Sequence, residues 1–213
     1  MPCKQCLGIA ALFNDKVAKR ELTKFQKTGA KPQTRMVLDE LRRIGIRDRT
    51  LLDIGGGVGA IQHACAEEGA AQITSVDASP AYMAAAEQEA RRRGYENVTT
   101  YLHGDFVELA PGIPPADLVT MDRVVCCYPN LVELLRPAAE RARVCLGLVF
   151  PRDNWWMRAG TRVANLLLRL GRSEFQAFIH PHAKIEQCAA EAGLELSYSA
   201  YRGLWRVALF VRA

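Results

Sequence analysis

Four glycines in the five-residue run "GGGVG", Gly55, Gly56, Gly57 and Gly59, and the acids around them are the residues whose type and spacing most suggest chemistry. A run so poor in side chains lets backbone amides approach a ligand closely, and a nucleotide-like cofactor is what such a loop receives. Asp53 stands two residues before Gly55 in "LLDIGGG". A carboxylate there repels a pyrophosphate laid over the loop, yet it can serve an ammonium or other cation through water. Asp77 closes "ITSVD", where an acid can accept both hydroxyls of a ribose. Asp105, in "HGDF", is placed for an adenine amino group, with Phe106 available to pack against the ring. Each acid alone reads as a helix cap or a surface charge; three of them, after three successive apolar runs and behind one glycine loop, point to a site. Gly55, Gly57 and Ala60 also satisfy G-x-G-x-x-G/A, which keeps a dinucleotide and an oxidoreductase open.

These residues need a scaffold of alternating strands and helices. Apolar spacing gives one amphipathic helix over 10–27, broken by "TGAKPQT", and a second over 34–44. Strands are expected at 50–54, 72–76, 98–102, 117–121 and 144–149, with helices at 58–69, 80–93 and 131–142 between them. That alternation is the mark of a parallel sheet. Helices over 154–170 and 182–192 follow, and "LELSYSAY" and "LWRVALFVR" close the chain at hairpin spacing around Arg202 and Gly203. The expected fold is α/β, a Rossmann-like, seven-stranded, mostly parallel sheet with helices on both faces and an antiparallel C-terminal strand. The expected division is a single domain over 1–213, with a helical N-terminal segment over 1–49, a core over 50–150 that carries the glycine loop and the acids, a helical insert over 151–193 and the terminal hairpin over 194–213.

Candidate reactive side chains cluster after the fourth and fifth strands. "MDRVVCCYPN" carries Asp122, Arg123, Cys126, Cys127 and Tyr128; Arg123 can fork onto a carboxylate or anchor a helix end. His180 and His182 flank Pro181, and one of them can act as a general base, hold an anion or cap the next helix. Trp155 and Trp156 can offer a flat surface to an aromatic ligand or pack an inserted helix onto the domain. Cys3 and Cys6 have C-x-x-C spacing, but no second such pair completes a zinc site, and the adjacent Cys126 and Cys127 suit one metal poorly. No metal is expected, and the central cysteines read as small buried hydrophobes.

Taken in order, "LLDIGGGVG", "VDAS", "HGDF" and "DLVTMDRV" resemble the successive motifs of class I S-adenosylmethionine-dependent methyltransferases, over residues 34–150, with the terminal hairpin also similar. The resemblance implies S-adenosylmethionine as methyl donor and S-adenosylhomocysteine as product, and it makes 50–150 the cofactor-binding core, 1–49 a lid and 151–193 an acceptor-side insert. It puts Asp53, Gly55, Gly56, Gly57 and Gly59 at the methionine end, Asp77 with Ala78 at the ribose, Asp105 with Phe106 at the adenine, and Asp122 and Arg123 at the junction of cofactor and acceptor. A looser similarity, from "FPRDNWW" to "IHPH", is to O-methyltransferases that act on magnesium protoporphyrin. Methyl transfer from a sulfonium is an in-line displacement, so the protein must chiefly align the nucleophile and exclude water. A base is needed only when that nucleophile has to lose a proton.

Composition narrows the rest. The 213 residues, 49% hydrophobic, suit one sizeable core. No apolar run nears the roughly 20 residues of a membrane span, and the N-terminus does not read as an export signal, so a cytoplasmic place and free thiols are expected. Charge is uneven: 12 Lys/Arg against 5 Asp/Glu over 1–50, 7 against 13 over 51–151, and 9 against 5 over 152–213. Such basic flanks can meet nucleic acid, a membrane surface or a small anion, or simply be solvated helix faces. A small acceptor, anionic or aromatic, is the favoured partner. A nucleic-acid methyltransferase is the rival, although "DRVV" stands where "NPPY" would mark one; a redox-sensing binding module is a third reading.

Overall fold

In the computed structural model, which describes residues 4–212, the glycine loop hangs from the carboxyl end of an interior strand, next to the central one, of a seven-stranded sheet. The strands are β1 (Thr50–Ile54), β2 (Gln72–Asp77), β3 (Thr99–His103), β4 (Ala116–Asp122), β5 (Ala142–Pro151), β6 (Leu194–Arg202) and β7 (Trp205–Arg212), in the order β3-β2-β1-β4-β5-β7-β6. β1 to β5 are parallel, and β7 lies antiparallel between β5 and β6. After β3 the chain returns across β1 to place β4 on its other side. That reversal leaves a crevice beyond the carboxyl ends of β1 and β4, which is where open α/β sheets bind ligands.

The helices are α1 (Lys4–Leu12), α2 (Asp15–Thr28), α3 (Pro32–Ile44), α4 (Ala60–Glu67), α5 (Pro80–Arg93), α6 (Phe106–Leu109), α7 (Leu131–Arg141), α8 (Trp155–Leu170) and α9 (His182–Glu191). The two larger cores lie one on each face of the sheet, and a small third cluster, Ala18, Leu22 and Ala85, joins α2 to α5. Leu134, Leu135, Ile185 and Phe210 belong to one; Val37, Leu41, Ile61 and Leu209 belong to the other. Neighbouring residues Leu209 and Phe210 thus serve opposite faces, as the period of two in a strand requires.

Local chemistry sets the ends. α5 begins at Ser79, whose Oγ accepts from the Tyr82 amide at 3.2 Å, continues through Pro80, and stops at Gly94 with φ 79°. The single helix expected over 10–27 is two helices: Asn14 Oδ1 accepts from the Val17 amide at 3.3 Å and caps α2, while Phe13 turns towards Tyr82 and Phe175. Apolar periodicity runs through that break, so only the capping residue marks it. α3 starts at Pro32 rather than 34, Pro being suited to a first helical turn. The hairpin pairs Arg202 with Trp205, moving its turn one residue on, to Gly203 and Leu204.

Candidate active site

One cavity opens at the crevice. Its walls come from α1 (Cys6, Ile9), Phe13, α2 (Glu21, Phe25), the glycine loop, the ends of β2, β3 and β4, and the Arg123–Tyr128 turn. Gly57 sits at φ 58°, and a Cβ there would meet nothing within 4 Å, so it would project into open cavity. Gly56 differs: a Cβ would collide with Gln62 and with the Asp53 carboxylate. The loop is side-chain-free partly for a ligand above it and partly for its own support below.

That support is a buried polar chain. Asp53 is 1% exposed; its Oδ1 accepts from Thr120 Oγ1 at 2.6 Å and its Oδ2 from Gln62 Nε2 at 3.1 Å. Gln62 Nε2 also donates to Ser75 Oγ at 2.8 Å. Burial, opposed by the bonds from Thr120 and Gln62, pushes the Asp53 carboxyl up to about 7. Asp53 therefore lines the cavity from beneath, with both oxygens already engaged, rather than standing free over the loop.

Asp77 holds the other side. Its Oδ2 accepts from the Gly57 amide at 3.0 Å and its Oδ1 from the Ser79 amide at 2.8 Å. Each carboxylate oxygen has a second lone pair, so both retain capacity for a ligand hydroxyl. Burial raises the Asp77 carboxyl above its ordinary value, and the Ser79 and Gly57 amides oppose it. Ala78 follows in the cavity wall.

Asp105 caps α6, Oδ1 accepting from the Val107 amide at 2.9 Å. Its Oδ2 accepts from Tyr128 Oη at 3.3 Å and lies 3.5 Å from Cys6 Sγ. Phe106 beside it is 4% exposed and forms part of the core as well as the cavity wall. Asp122 ends β4, its Oδ2 accepting from Thr34 Oγ1 at 2.5 Å and its Oδ1 from Arg123 Nε at 2.9 Å. Arg123 itself is at φ 66°, unusual for a residue with a Cβ, and its amide donates to Val149 O at 2.9 Å. The positive φ is where β4 turns out of the sheet into the cavity wall.

The N-terminal helices close over this crevice. Ser79 Oγ donates to Phe13 O at 2.7 Å, Gln26 Nε2 donates to Glu89 at 2.8 Å, and Phe25 stacks on His63 with ring centres 5.9 Å apart. Thr34, Gln62, Thr120 and Ser79 were not picked out by sequence reading. Their signal is weak, since each is a neutral polar residue within an apolar or cap-like context.

Other expected residues lie elsewhere. His180 is absent from the cavity wall; its Nε2 is 2.9 Å from Tyr128 O, and burial lowers its basicity. His182 Nε2 is 3.0 Å from Pro151 O, and neither histidine caps α9, whose N-cap is Pro181. Trp155 and Trp156 are 80% and 43% exposed, and neither lines the cavity. The Cys126 and Cys127 sulfurs are 3.9 Å apart; Cys126 is buried and Cys127 reaches the cavity. Cys3 lies outside the described residues. Among those described, no three His, Cys, Asp or Glu side chains group as a metal site.

Residues 52–144 match the family described as a methyltransferase domain. Magnesium protoporphyrin IX methyltransferase of Synechocystis PCC 6803, solved with bound S-adenosylhomocysteine, has a similar fold: TM-score 0.69 at 20% identity, over 85% of this chain and 82% of that one. Ribosomal protein L11 methyltransferase of a Psychrobacter species is 32% identical over 117 residues, 52% of this chain and 38% of that protein. Protein arginine N-methyltransferase 1.1 of Arabidopsis thaliana is 28% identical over 109 residues, 50% of this chain and 27% of that protein. The chain thus spans less than half the length of these curated relatives. Residues 52–144 thus match a methyltransferase domain, and the sheet order, glycine loop and strand-end acids give this chain the fold of the solved methyltransferases. The open space above Gly57 and the spare lone pairs of Asp77 leave room for a nucleoside cofactor of the kind those solved methyltransferases bind.

Proposed function

We propose that this protein transfers the methyl group of S-adenosylmethionine to a small molecule, anionic or aromatic, through oxygen, sulfur or nitrogen. When bound, the cofactor supplies an electrophilic methyl carbon on a sulfonium. In this reading Gly55, Gly56, Gly57 and Gly59 bring backbone to the methionine end, with Asp53 beneath them, and Asp77 with Ala78 receives the ribose. Asp105 with Phe106 meets the adenine, and Asp122, held by Thr34, stands at the junction with the acceptor. Arg123 presents a guanidinium beside that junction, able to orient an anionic acceptor. A cytoplasmic place and a lid role for residues 1–49 belong to the same proposal.

The observation that carries it is the closure of the crevice by α1 and α2, whose Cys6, Ile9, Phe13 and Phe25 wall the cavity together with Arg123 and Tyr128. Such a wall suits a compact ligand with one aromatic or acidic end. His180 is not given the role of base, because it does not line the cavity and its Nε2 is engaged by the Tyr128 carbonyl. Incubating the protein with methyl-labelled S-adenosylmethionine and pools of phenols, thiols and aromatic carboxylates should label a low-molecular-weight product. Label found only in acid-precipitable protein or RNA overturns the small-molecule reading. A protein acceptor is the second reading, favoured by the names of the curated relatives.

A further inference from the structure

α8 is the element the cofactor site does not explain. It is 16 residues long, and none of its side chains is buried. Asn165 faces the domain, its Nδ2 donating to Ala177 O at 2.8 Å and its Oδ1 accepting from the Ala177 amide at 2.9 Å. Met157, Thr161 and Leu168, on the same side, are half-buried. The opposite side is apolar and bare: Trp155 is 80% exposed, Val163 58%, Leu166 57%, Leu167 63% and Leu170 72%. A helix that stops at the domain surface should turn such residues inward. This one turns its leucines out.

The charges of α8 say what covers that face. Arg158, Arg162 and Arg169 fall on one strip at helical spacing, bordering the apolar face, and residues 155–172 contain no acid. Arg158 pairs with Asp153 at 2.6 Å, whereas Arg162 and Arg169 form no ion pair among the described residues. Two tryptophans mark one end of the helix. An apolar face with tryptophan and leucine, edged by arginine and set parallel to a surface, is the pattern of a helix lying in a lipid interface. A second copy fits less well. A two-fold contact through this face sets the arginine strips of both copies near one another with no acid on α8 to neutralise them.

We propose that α8 docks the protein peripherally on an anionic lipid bilayer, its leucines and tryptophans entering the acyl boundary and Arg162 and Arg169 pairing with headgroup phosphates. This is a surface contact, since no helix among the described residues is long and apolar enough to cross a membrane. α8 starts just past Pro151, at the carboxyl end of β5, so the docking element springs from the end of the sheet where the cavity opens. The proposal does not depend on what the cavity methylates.

Flotation of the full chain with phosphatidylcholine vesicles, with and without phosphatidylglycerol, tests it. Binding to the anionic vesicles is expected, with quenching of tryptophan fluorescence by bromine-labelled acyl chains in the unaltered protein. Arg162→Gln and Arg169→Gln should each weaken the partition by about fivefold. Leu166→Gln with Leu170→Gln should weaken it by at least about tenfold, with thermal unfolding unchanged because both positions are exposed. Equal flotation with neutral vesicles, no flotation with either, or flotation indifferent to both sets of substitutions overturns the proposal. So does sedimentation showing a dimer that the leucine substitutions dissociate while vesicles go unbound.

Discussion

Replacing Asp53 by asparagine should make the ligand-free protein more stable at neutral pH, although it removes the carboxylate that braces the glycine loop. Asp53 is 1% exposed, and burial lifts its carboxyl from an ordinary 3.8 to about 7. Between those values the folded state holds a proton that the unfolded state has released. Stability therefore falls as pH rises from about 4 to about 7 and levels off above, the slope following the difference in bound protons. A rise of about three pH units, at about 1.36 kcal/mol each, makes the burden up to about 4 kcal/mol above pH 7. The asparagine variant does not carry it. Its carbonyl still accepts from Thr120, and its amide can donate to Gln62 Oε1, which has no partner in the unaltered protein, once that side chain flips. For a chain of this size about 1 kcal/mol moves Tm by roughly 2–4 °C, so the two proteins should melt alike near pH 4 and differ by about 10 °C at pH 8. Differential scanning fluorimetry across that range is the assay. A melting difference that stays constant with pH refutes the reasoning, because it means that the carboxylate titrates alike in both states.

Asp77→Ala removes the acceptor for the Gly57 and Ser79 amides and the proposed partner of the ribose, and should weaken S-adenosylmethionine binding by about 1–3 kcal/mol; unchanged affinity by calorimetry removes Asp77 from the site. Glu89→Ala should destabilise the fold by about 1–3 kcal/mol in urea unfolding, since it removes the buried carboxylate that accepts from Arg92, Arg93 and Gln26, while the arginines it leaves can reach solvent; a loss near zero contradicts that account. His63, buried against Phe25 and lowered by that burial to about 4, stays neutral when folded. It should cost stability as pH falls from about 6.5 towards 4, and His63→Gln should flatten that limb of the Tm profile. His180→Gln should leave turnover within about tenfold of the unaltered enzyme, whereas a general base contributes about 10²–10⁴-fold.

Much of the scaffold was legible because its signals are local. The strands β1 to β5 are short apolar runs between helical ones, and that alternation is readable along the chain. The C-terminal hairpin was legible too, for Gly203 separates two β-rich runs. What lay hidden depends on contacts across the chain. Thr34 reaches Asp122 from 88 positions away, and Thr120 reaches Asp53 from 67, so neither partnership leaves a spacing to read. His180 and His182 looked suited to the acceptor pocket from type and place alone; their ring nitrogens are instead engaged by the carbonyls of Tyr128 and Pro151. Trp155 and Trp156 show the limit of periodicity. It reveals that one face of α8 is apolar, but whether the domain covers that face is decided by the path of the chain after β5.

β7 follows every other strand in the chain, yet it lies inside the sheet, between β5 and β6. During synthesis the parallel strands can assemble as they emerge, but β5 keeps an open edge until Trp205–Arg212 arrives. Cys145 to Pro151 then remain a row of unpaired amides and carbonyls flanked by leucine, valine and phenylalanine, a template for another strand. Loss of the final eight paired residues would strip an interior strand and leave β6 without its neighbour, so nascent or trimmed chains should aggregate through β5.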